Sequence, residues 1–432
     1  MSTATTEPRT SPEAASAGTA APAKRSWKTP AIYVVFALGA LFGLVLTAPA
    51  GATSGFELSF PDDPSQLPTV TVPTRLGTLV LALVCAAIAV ASVVLTLRRG
   101  RTPVWLAPVF GVAFVLAFLC WAIAGNTISF VGLMQGSLLL AVPLIFGAMS
   151  GVLCERAGVI NIAIEGELLA GAFLAALVGS LANNVYAGLI AAPVAGMLVG
   201  VLLAVFTVRY AVDQIIVGVV LNVFVIGLTS FFYGRFMQPQ ANVYNRPGTF
   251  SPIEIPVLSD IPLIGPVLFR QTIIVYLMYV TVAVVHIALF HTRWGLRVRA
   301  VGEHPEAADT VGINVNWTRV RNVALGGAVA GLGGAFFTIG QVGAFGEQIT
   351  AGKGFIALAA LIFGRWRPLG ALGAALFFGF ADSLQSLLTI LGTPIPSEFM
   401  LMVPYLATIF AVAGLVGRVR PPAADGKPYI KS

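Results

Sequence analysis

Apolar and polar positions in this chain fall into long blocks rather than a short alternation. Twelve apolar runs can be traced, at roughly 31–50, 76–97, 103–124, 137–153, 158–179, 187–208, 214–233, 271–291, 319–340, 352–364, 368–391 and 398–416. Most approach the ~20 residues that an α-helix needs to cross a hydrocarbon core about 30 Å thick. A membrane barrel would instead show ~10-residue segments with a period of two, and that pattern is absent. The run 352–364 is too short to span and reads as a broken or re-entrant element, which is tolerated at membrane depth only when buried in protein. The predicted fold is therefore all-α, a polytopic helical membrane protein.

The polar intervals between the runs carry an asymmetry. With the N-terminus placed inside and the twelve spans alternating, 20 of the 25 Lys and Arg residues fall on the inner side. This bias is the positive-inside pattern of cytoplasmic loops. It accounts for the net charge of +7 without nucleic acid, and it places both termini and the loop 292–318 in the cytoplasm, with 234–270 outside. Residues 1–29 are rich in Ala, Ser, Thr and Pro and read as a disordered cytoplasmic tail. TAPAGA (47–52) offers small residues for signal cleavage, but the preceding region is too long and the apolar run too extended for a signal peptide. Only 10% of the 432 residues are charged and 57% are hydrophobic, too little charge for a soluble surface of this size. Cys85, Cys120 and Cys154 lie in or beside apolar runs and have neither metal-ligand nor redox spacing.

Two stretches resemble each other. NIAIEGELLAGAFLAAL (161–177) aligns with GAFGEQITAGKGFIALAAL (343–361), setting Glu165 against Glu347 at an offset of 182. The fourth and ninth spans begin at the same offset, and GLIAAPVAGMLVG (188–200) aligns with GALGAALFFG (370–379). Equivalent spans lie five apart, so the copies run in opposite directions, the inverted-repeat arrangement of many transporters. Gly/Ala-rich helices also resemble one another through composition alone, and the alignment by itself does not separate the two readings.

The polar residues inside the apolar runs are the candidate chemistry. On a continuous helix Asn161 and Glu165 share a face and Glu167 points elsewhere. A carboxylate in lipid costs several kcal/mol, so these groups either tie helices together or line a water-filled path; both readings stand. The candidate path set is Asn161, Glu165 and Asn222 in the first half, and Asp382 and Gln385 in the second. In the loop 292–318, EHPEAADTVG reads as a short helix with Pro305 at its first position, Glu306 at its positive end and Gly312 closing it. A short helix held on the cytoplasmic face is either a natural docking knob for a partner or a mere connecting loop; Gly302, Glu303, Glu306, Ala307 and Gly312 form or border it. No catalytic set, metal cluster or cofactor site is expected. GEQITAGKG (346–354) has the wrong spacing for a phosphate loop, and His286, His291 and His304 form no metal cluster.

ERAGVINIAIEG (155–166), RAVGEHPEAADTVGINV (299–315) and ALAALIFGRWRPLGALGAALFFGFADSL (357–384) resemble membrane permease subunits of ABC importers. The matching branch serves simple sugars, nucleosides and branched-chain amino acids, and the spelling ERAGVINIAIEG is most similar to nucleoside-uptake permeases. The resemblance implies a core of about ten helices built as an inverted repeat, at 103–417, with halves near 103–233 and 271–417. Two N-terminal transmembrane helices (30–102) would precede it and a cytoplasmic tail (418–432) follow it. It also implies partners: an ATP-binding subunit at the coupling loop 292–318, a second permease subunit forming a heterodimer, and an extracytoplasmic substrate-binding lipoprotein, all at a bacterial cell membrane. The chain would then be no enzyme itself and would carry a nucleoside. A monosaccharide such as ribose or a branched-chain amino acid is the alternative cargo, and an ion-coupled secondary transporter the alternative class.

Overall fold

The computed structural model describes residues 27–392, apart from 101 and 104, together with 399, 402 and 420–431. Its helices are α1 (Lys28–Leu38), α2 (Thr74–Arg99), α3 (Leu106–Ala122), α4 (Phe130–Glu155), α5 (Ile164–Leu181), α6 (Val185–Ala204) and α7 (Gln214–Phe232). They continue with α8 (Ala241–Tyr244), α9 (Ile273–His291), α10 (Arg293–Glu303), α11 (Pro305–Thr310), α12 (Val315–Ala335), α13 (Lys353–Phe363) and α14 (Pro368–Ile390). Short strands lie in the connections: β1 (Thr53–Glu57), β2 (Val70–Pro73), β3 (Thr127–Ser129), β4 (Ile253–Glu254) and β5 (Arg270–Gln271). β1 pairs with β3 in parallel, and β4 with β5 antiparallel. Among the described residues nine helices are long and apolar enough to cross a membrane, with Leu106–Ala122 and Lys353–Phe363 shorter. The chain is an all-α polytopic membrane protein. Eleven of the twelve apolar runs carry a helix; the twelfth, 398–416, lies outside the described residues apart from 399 and 402.

The helices divide into two compact units, α1 to α3 and α4 to α14. In the first, Tyr33, Cys85, Ala89, Leu106 and Phe110 form one buried cluster, with the Tyr33 and Phe110 rings stacked at 4.5 Å. α3 buries Leu106, Phe110 and Ala113 against α1 and α2.

In the second unit α12 packs chiefly on α6, and α4 chiefly on α14. Small residues permit the approach. A Cβ at Gly196 of α6 would stand 2.1 Å from the Gly327 carbonyl of α12, and one at Gly379 of α14 would stand 2.4 Å from the Ser137 carbonyl of α4. Ala192, Gly196 and Gly200 recur every four residues on α6 and face Gly327 and Gly331 on α12, the small-residue spacing that brings membrane helices into backbone contact. With no hydrophobic effect between helices in lipid, such packing carries the association.

Candidate functional site

The opening of α5 is built around a break in the chain. α4 ends at Glu155, Gly158 takes φ +86°, and helix does not resume until Ile164. Residues 156–163 are irregular, and side chains satisfy their backbone. Gln214 accepts from the Ile160 N–H at 2.7 Å, and the Asn222 amide donates to the Ile162 carbonyl at 2.8 Å while accepting from the Gly166 N–H at 2.8 Å. Such coverage is what irregular backbone at membrane depth requires.

The expected helical face shared by Asn161 and Glu165 does not exist, because Asn161 precedes the helix. Its fully buried amide donates to both oxygens of Glu167, at 3.1 and 3.0 Å, and to Ser150 Oγ at 3.1 Å. Ser150 Oγ in turn donates to Glu167 Oε2 at 3.0 Å. Glu167, set aside in the sequence reading, is thus the carboxylate that Asn161 holds.

Glu165 reaches the start of α13. Oε1 accepts from Thr350 Oγ1 at 2.6 Å and the Gly352 N–H at 2.9 Å, and Oε2 accepts from the Gly354 N–H at 2.6 Å. The Gly352 and Gly354 groups belong to the N-terminus of α13, where a carboxylate is favoured by both the unpaired N–H groups and the helix dipole. No side chain of α13's own caps that end. A Cβ at Gly354 would lie 2.5 Å from the Glu165 backbone, so the starts of α5 and α13 abut. The 11 residues of α13 extend about 16 Å at 1.5 Å per residue, half of a ~30 Å core. Its far end lies beside α4's end, where the Trp366 indole donates to Glu155. The junction of Glu165 with α13 is therefore about half a membrane away from that end. Lys353, the first residue of α13, sits at this junction.

Asp382 on α14 forms an ion pair with Lys353, both side chains partly exposed. Gln385, one turn on, is half-buried, and its side chain reaches Thr389 Oγ1 at 3.5 Å. The predicted path residues thus fall into two groups. Asn161, Glu165 and Asn222 are buried and engaged by protein partners; Asp382 and Gln385 retain exposure. Lys353 escaped the sequence reading; it is the sole basic side chain in the run 352–364, and that is the signal that could have found it.

The loop 292–318 holds two helices where one was expected. Thr292 Oγ1 caps α10 through the Gly295 N–H at 3.1 Å. α11 begins at Pro305 with Glu306 in its first turn, and Gly312 takes φ +84° beyond its end. Glu303, Glu306, Ala307 and Gly312 are exposed, whereas Gly302 is buried. A Cβ at Gly302 would stand 2.2 Å from the Arg156 carbonyl, so α10 rests on the backbone that enters the irregular segment.

The segment 420–431, read from sequence only as a tail, binds this region. The Ala424 N–H donates to the Gly302 carbonyl at 2.9 Å, the Ala423 N–H to Glu303 Oε2 at 3.2 Å, and buried Arg319 to the Lys427 carbonyl at 2.8 Å. Lys431 pairs with Asp309 at 3.4 Å, and Tyr429 packs on Val301, Ala308 and Val315. Burial pushes the Asp425 carboxyl up to about 7, with Glu155, the Gly426 N–H and, least, Arg319 acting the other way.

Residues 133–412 match the family described as branched-chain amino acid transport system / permease component. The guanosine ABC transporter permease protein NupQ of Bacillus subtilis is 40% identical over 308 residues, covering 69% of this chain and 96% of the relative. The nucleoside ABC transporter permease protein NupC of Lactococcus lactis is 39% identical over 311 residues, 68% of this chain and 95% of the relative. The putative glucose ABC transporter permease protein TsgC13 of Haloferax volcanii is 34% identical over 254 residues, 59% and 77% respectively. No solved structure matches the chain significantly.

Proposed function

The chain belongs to the branched-chain amino acid transport system permease family, and we propose that it forms the translocation path of an ABC importer for nucleosides. It is a multi-pass protein of the cell membrane. The observation that carries the transport reading is the meeting of two broken elements, 156–163 before α5 and 343–352 before α13, with Glu165 of one half capping the helix of the other. Discontinuous helices meeting at the repeat interface are where secondary transporters place substrate, and the same economy of backbone suits an ATP-driven path. The exchange of packing partners supports two repeat-related halves: pairing α4 with α12, α5 with α13 and α6 with α14 turns the α6–α12 contact into the α14–α4 contact. Within the path, Asp382, Gln385 and Lys353 face the substrate, while Asn161, Glu165, Glu167 and Asn222 hold the broken elements in place.

The nucleoside assignment draws on the names of the relatives near 40% identity; the sugar permease at 34% makes a monosaccharide the second reading. An ATP-binding subunit docks on α10 and α11, a second permease subunit completes the path, and a receptor delivers substrate at the opposite face. Both termini lie on the docking side, following the basic-residue bias.

The test is uptake of labelled guanosine by vesicles holding the permease with its ATPase and receptor, challenged with excess unlabelled adenosine, uridine, ribose, glucose or leucine. Competition by nucleosides alone is expected. Competition by ribose or glucose without nucleosides would shift the assignment to sugars, and uptake driven by an ion gradient without ATP would overturn the ABC reading.

A further inference from the structure

A cavity of about 580 Å³ opens between the starts of α10 and α12, a size that suits a small-molecule ligand. Trp294 and Arg297 stand three residues apart on α10, and Trp317 and Arg321 four apart on α12; all four line the cavity. Each spacing keeps both side chains on one helix face, so each helix presents one indole and one guanidinium to the same space. None of the described lining residues is acidic. Trp317 is 63% exposed, and Arg297 and Arg321 are exposed as well, so a ligand reaches them without unfolding either helix. The turn after α11 closes one side, with Gly312 at φ +84° carrying the chain round it. At the base lies Asn322, fully buried; its amide donates back to the Thr318 carbonyl at 2.7 Å, and its Oδ1 has no hydrogen-bond partner.

Each feature narrows the ligand. Guanidinium forks from two sides, with no carboxylate among the lining residues, suit a phosphate group. Paired indoles suit a flat heteroaromatic ring, since stacking on aromatic side chains grips any nucleobase. A buried acceptor without a partner calls for an N–H, which a nucleobase carries. We propose that this cavity binds a nucleoside 5′-monophosphate, base against the indoles and phosphate between Arg297 and Arg321, and that the bound nucleotide slows import. A phosphatidylglycerol headgroup would satisfy the guanidinium groups but brings no ring for the indoles. Slowing follows from position: a ligand gripped from both sides ties α10 to α12, and α10 rests through Gly302 on the Arg156 carbonyl at the entry to the broken segment. The binding rests on the cavity alone. The regulatory role rests on the reading of the chain as a nucleoside importer, whose cargo becomes such a nucleotide when a phosphoryl-transfer reaction consumes it on the ATP side.

Binding is measured by isothermal titration calorimetry on the full-length permease, purified in neutral detergent without an ATP-binding subunit. Guanosine 5′-monophosphate is expected to bind at one site, with guanosine and ribose 5-phosphate each at least tenfold weaker. Arg321→Gln and Trp317→Leu, both at exposed positions of α12, are expected to keep the thermal midpoint and to weaken the nucleotide at least tenfold; Arg321→Lys is expected to weaken it less. Guanosine binding as tightly as its monophosphate would remove the phosphate contact, and equal binding of ribose 5-phosphate would remove the stacking; either overturns the proposal. So does unchanged affinity in both neutral variants, which would put the nucleotide elsewhere, or its displacement by phosphatidylglycerol, which would assign the cavity to a lipid. Loss of binding on adding the ATP-binding subunit would mark the cavity as a protein interface and overturn the proposal equally. In vesicles, the monophosphate added on the ATP side is expected to lower guanosine uptake severalfold in the wild type and not in Arg321→Gln. Absent inhibition, or equal inhibition in both, would overturn the regulatory role. A cargo other than a nucleoside shows in the uptake competition and leaves the calorimetry unmoved, so the two failures are distinguishable.

Discussion

Substituting Glu165 tests whether the buried carboxylate is framework or path. Its two oxygens receive three donors, two of them backbone N–H groups at the start of α13. Glu165→Gln preserves volume but replaces one oxygen with an NH₂ group. If the remaining carbonyl takes the Oε1 position, Thr350 and Gly352 keep their acceptor, and the new amide meets the Gly354 N–H, donor against donor. One orphaned buried N–H costs about 1–3 kcal/mol, and loss of the charge at a helix N-terminus adds about 0.3–1 kcal/mol. Glu165→Gln is therefore expected to lower stability by roughly 1–4 kcal/mol, and Glu165→Leu, which removes every acceptor, by more. The assay is the thermal midpoint of purified protein, paired with amide exchange across residues 352–357. The expected result is a lower midpoint with faster exchange at Gly352 and Gly354, uptake falling only as folded protein is lost. A Gln variant with unaltered midpoint and exchange, yet without uptake, would refute the capping role and return Glu165 to the path.

Gly327→Leu forces a side chain into a site where a Cβ alone would stand 2.3 Å from the Gly196 carbonyl; separation of α6 from α12 is expected to cost at least the ~1–3 kcal/mol of overpacking, read as a lowered thermal midpoint. Asp425 takes up protons more readily in the folded chain, at about 7, than at the ~3.9 of an unfolded chain. Its contribution to holding 420–431 is thus present below about pH 4, falls as pH rises and is lost above about 7; amide exchange at Ala423 and Ala424 should accelerate over that window, and Asp425→Asn should flatten the profile. Ala307→Trp adds bulk at an exposed position of α11 and is expected to abolish ATPase-dependent uptake while leaving expression and thermal midpoint unchanged, measured in vesicles and by thermal shift.

The positions of the membrane helices were legible because bilayer thickness sets run length, and apolar runs report length directly. The short run 352–364 announced its half-span in the same way. Hydropathy does not reveal where helix begins inside an apolar run, and there the reading failed. GVINIAI is as apolar as a helix but is irregular through Ala163, so the relation of Asn161 to Glu165 and Glu167 was misassigned. Gly158 carried part of the signal, a residue free to take φ +86°, but the length of the break depends on Gln214 and Asn222 from α7, some 55 residues away. Pro305 and Gly312 marked α11 through local capping rules. α10 was missed because RWGLRVRAVGE is too polar for a span and too basic to stand out from a loop. The segment PPAADGKPYIKS has no periodicity at all. Its order comes from single long-range contacts, the Gly302 and Lys427 carbonyls and the Tyr429 ring, which leave no pattern in a linear sequence.

If an ATP-binding subunit docks on α10 and α11 as proposed, these contacts define how motion there would reach the proposed path. Gly302 meets the Arg156 carbonyl with no side chain between them, so a displacement of α10 cannot be absorbed by a rotamer change; packed interiors move as units. Arg156 opens the irregular segment, whose far end carries Asn161 on Glu167 and, one turn later, Glu165 on α13. Lys353, beside that cap, pairs with Asp382 on α14. Up to the Glu165 cap every link is a backbone contact or a buried polar bond, and only the last, the Lys353–Asp382 pair, is partly exposed, so the route has few soft joints. Gly302→Ala inserts a methyl at 2.2 Å from the Arg156 carbonyl, below any real contact distance, and must part α10 from residues 156–158. If the contact transmits motion, the variant is expected to keep docking and nucleotide hydrolysis while uptake per ATP falls severalfold. Restoring room elsewhere on the face will not rescue it, whereas the conservative Ala307→Gly should behave as wild type. A Gly302→Ala permease with normal uptake per ATP would show that α10 signals through another contact.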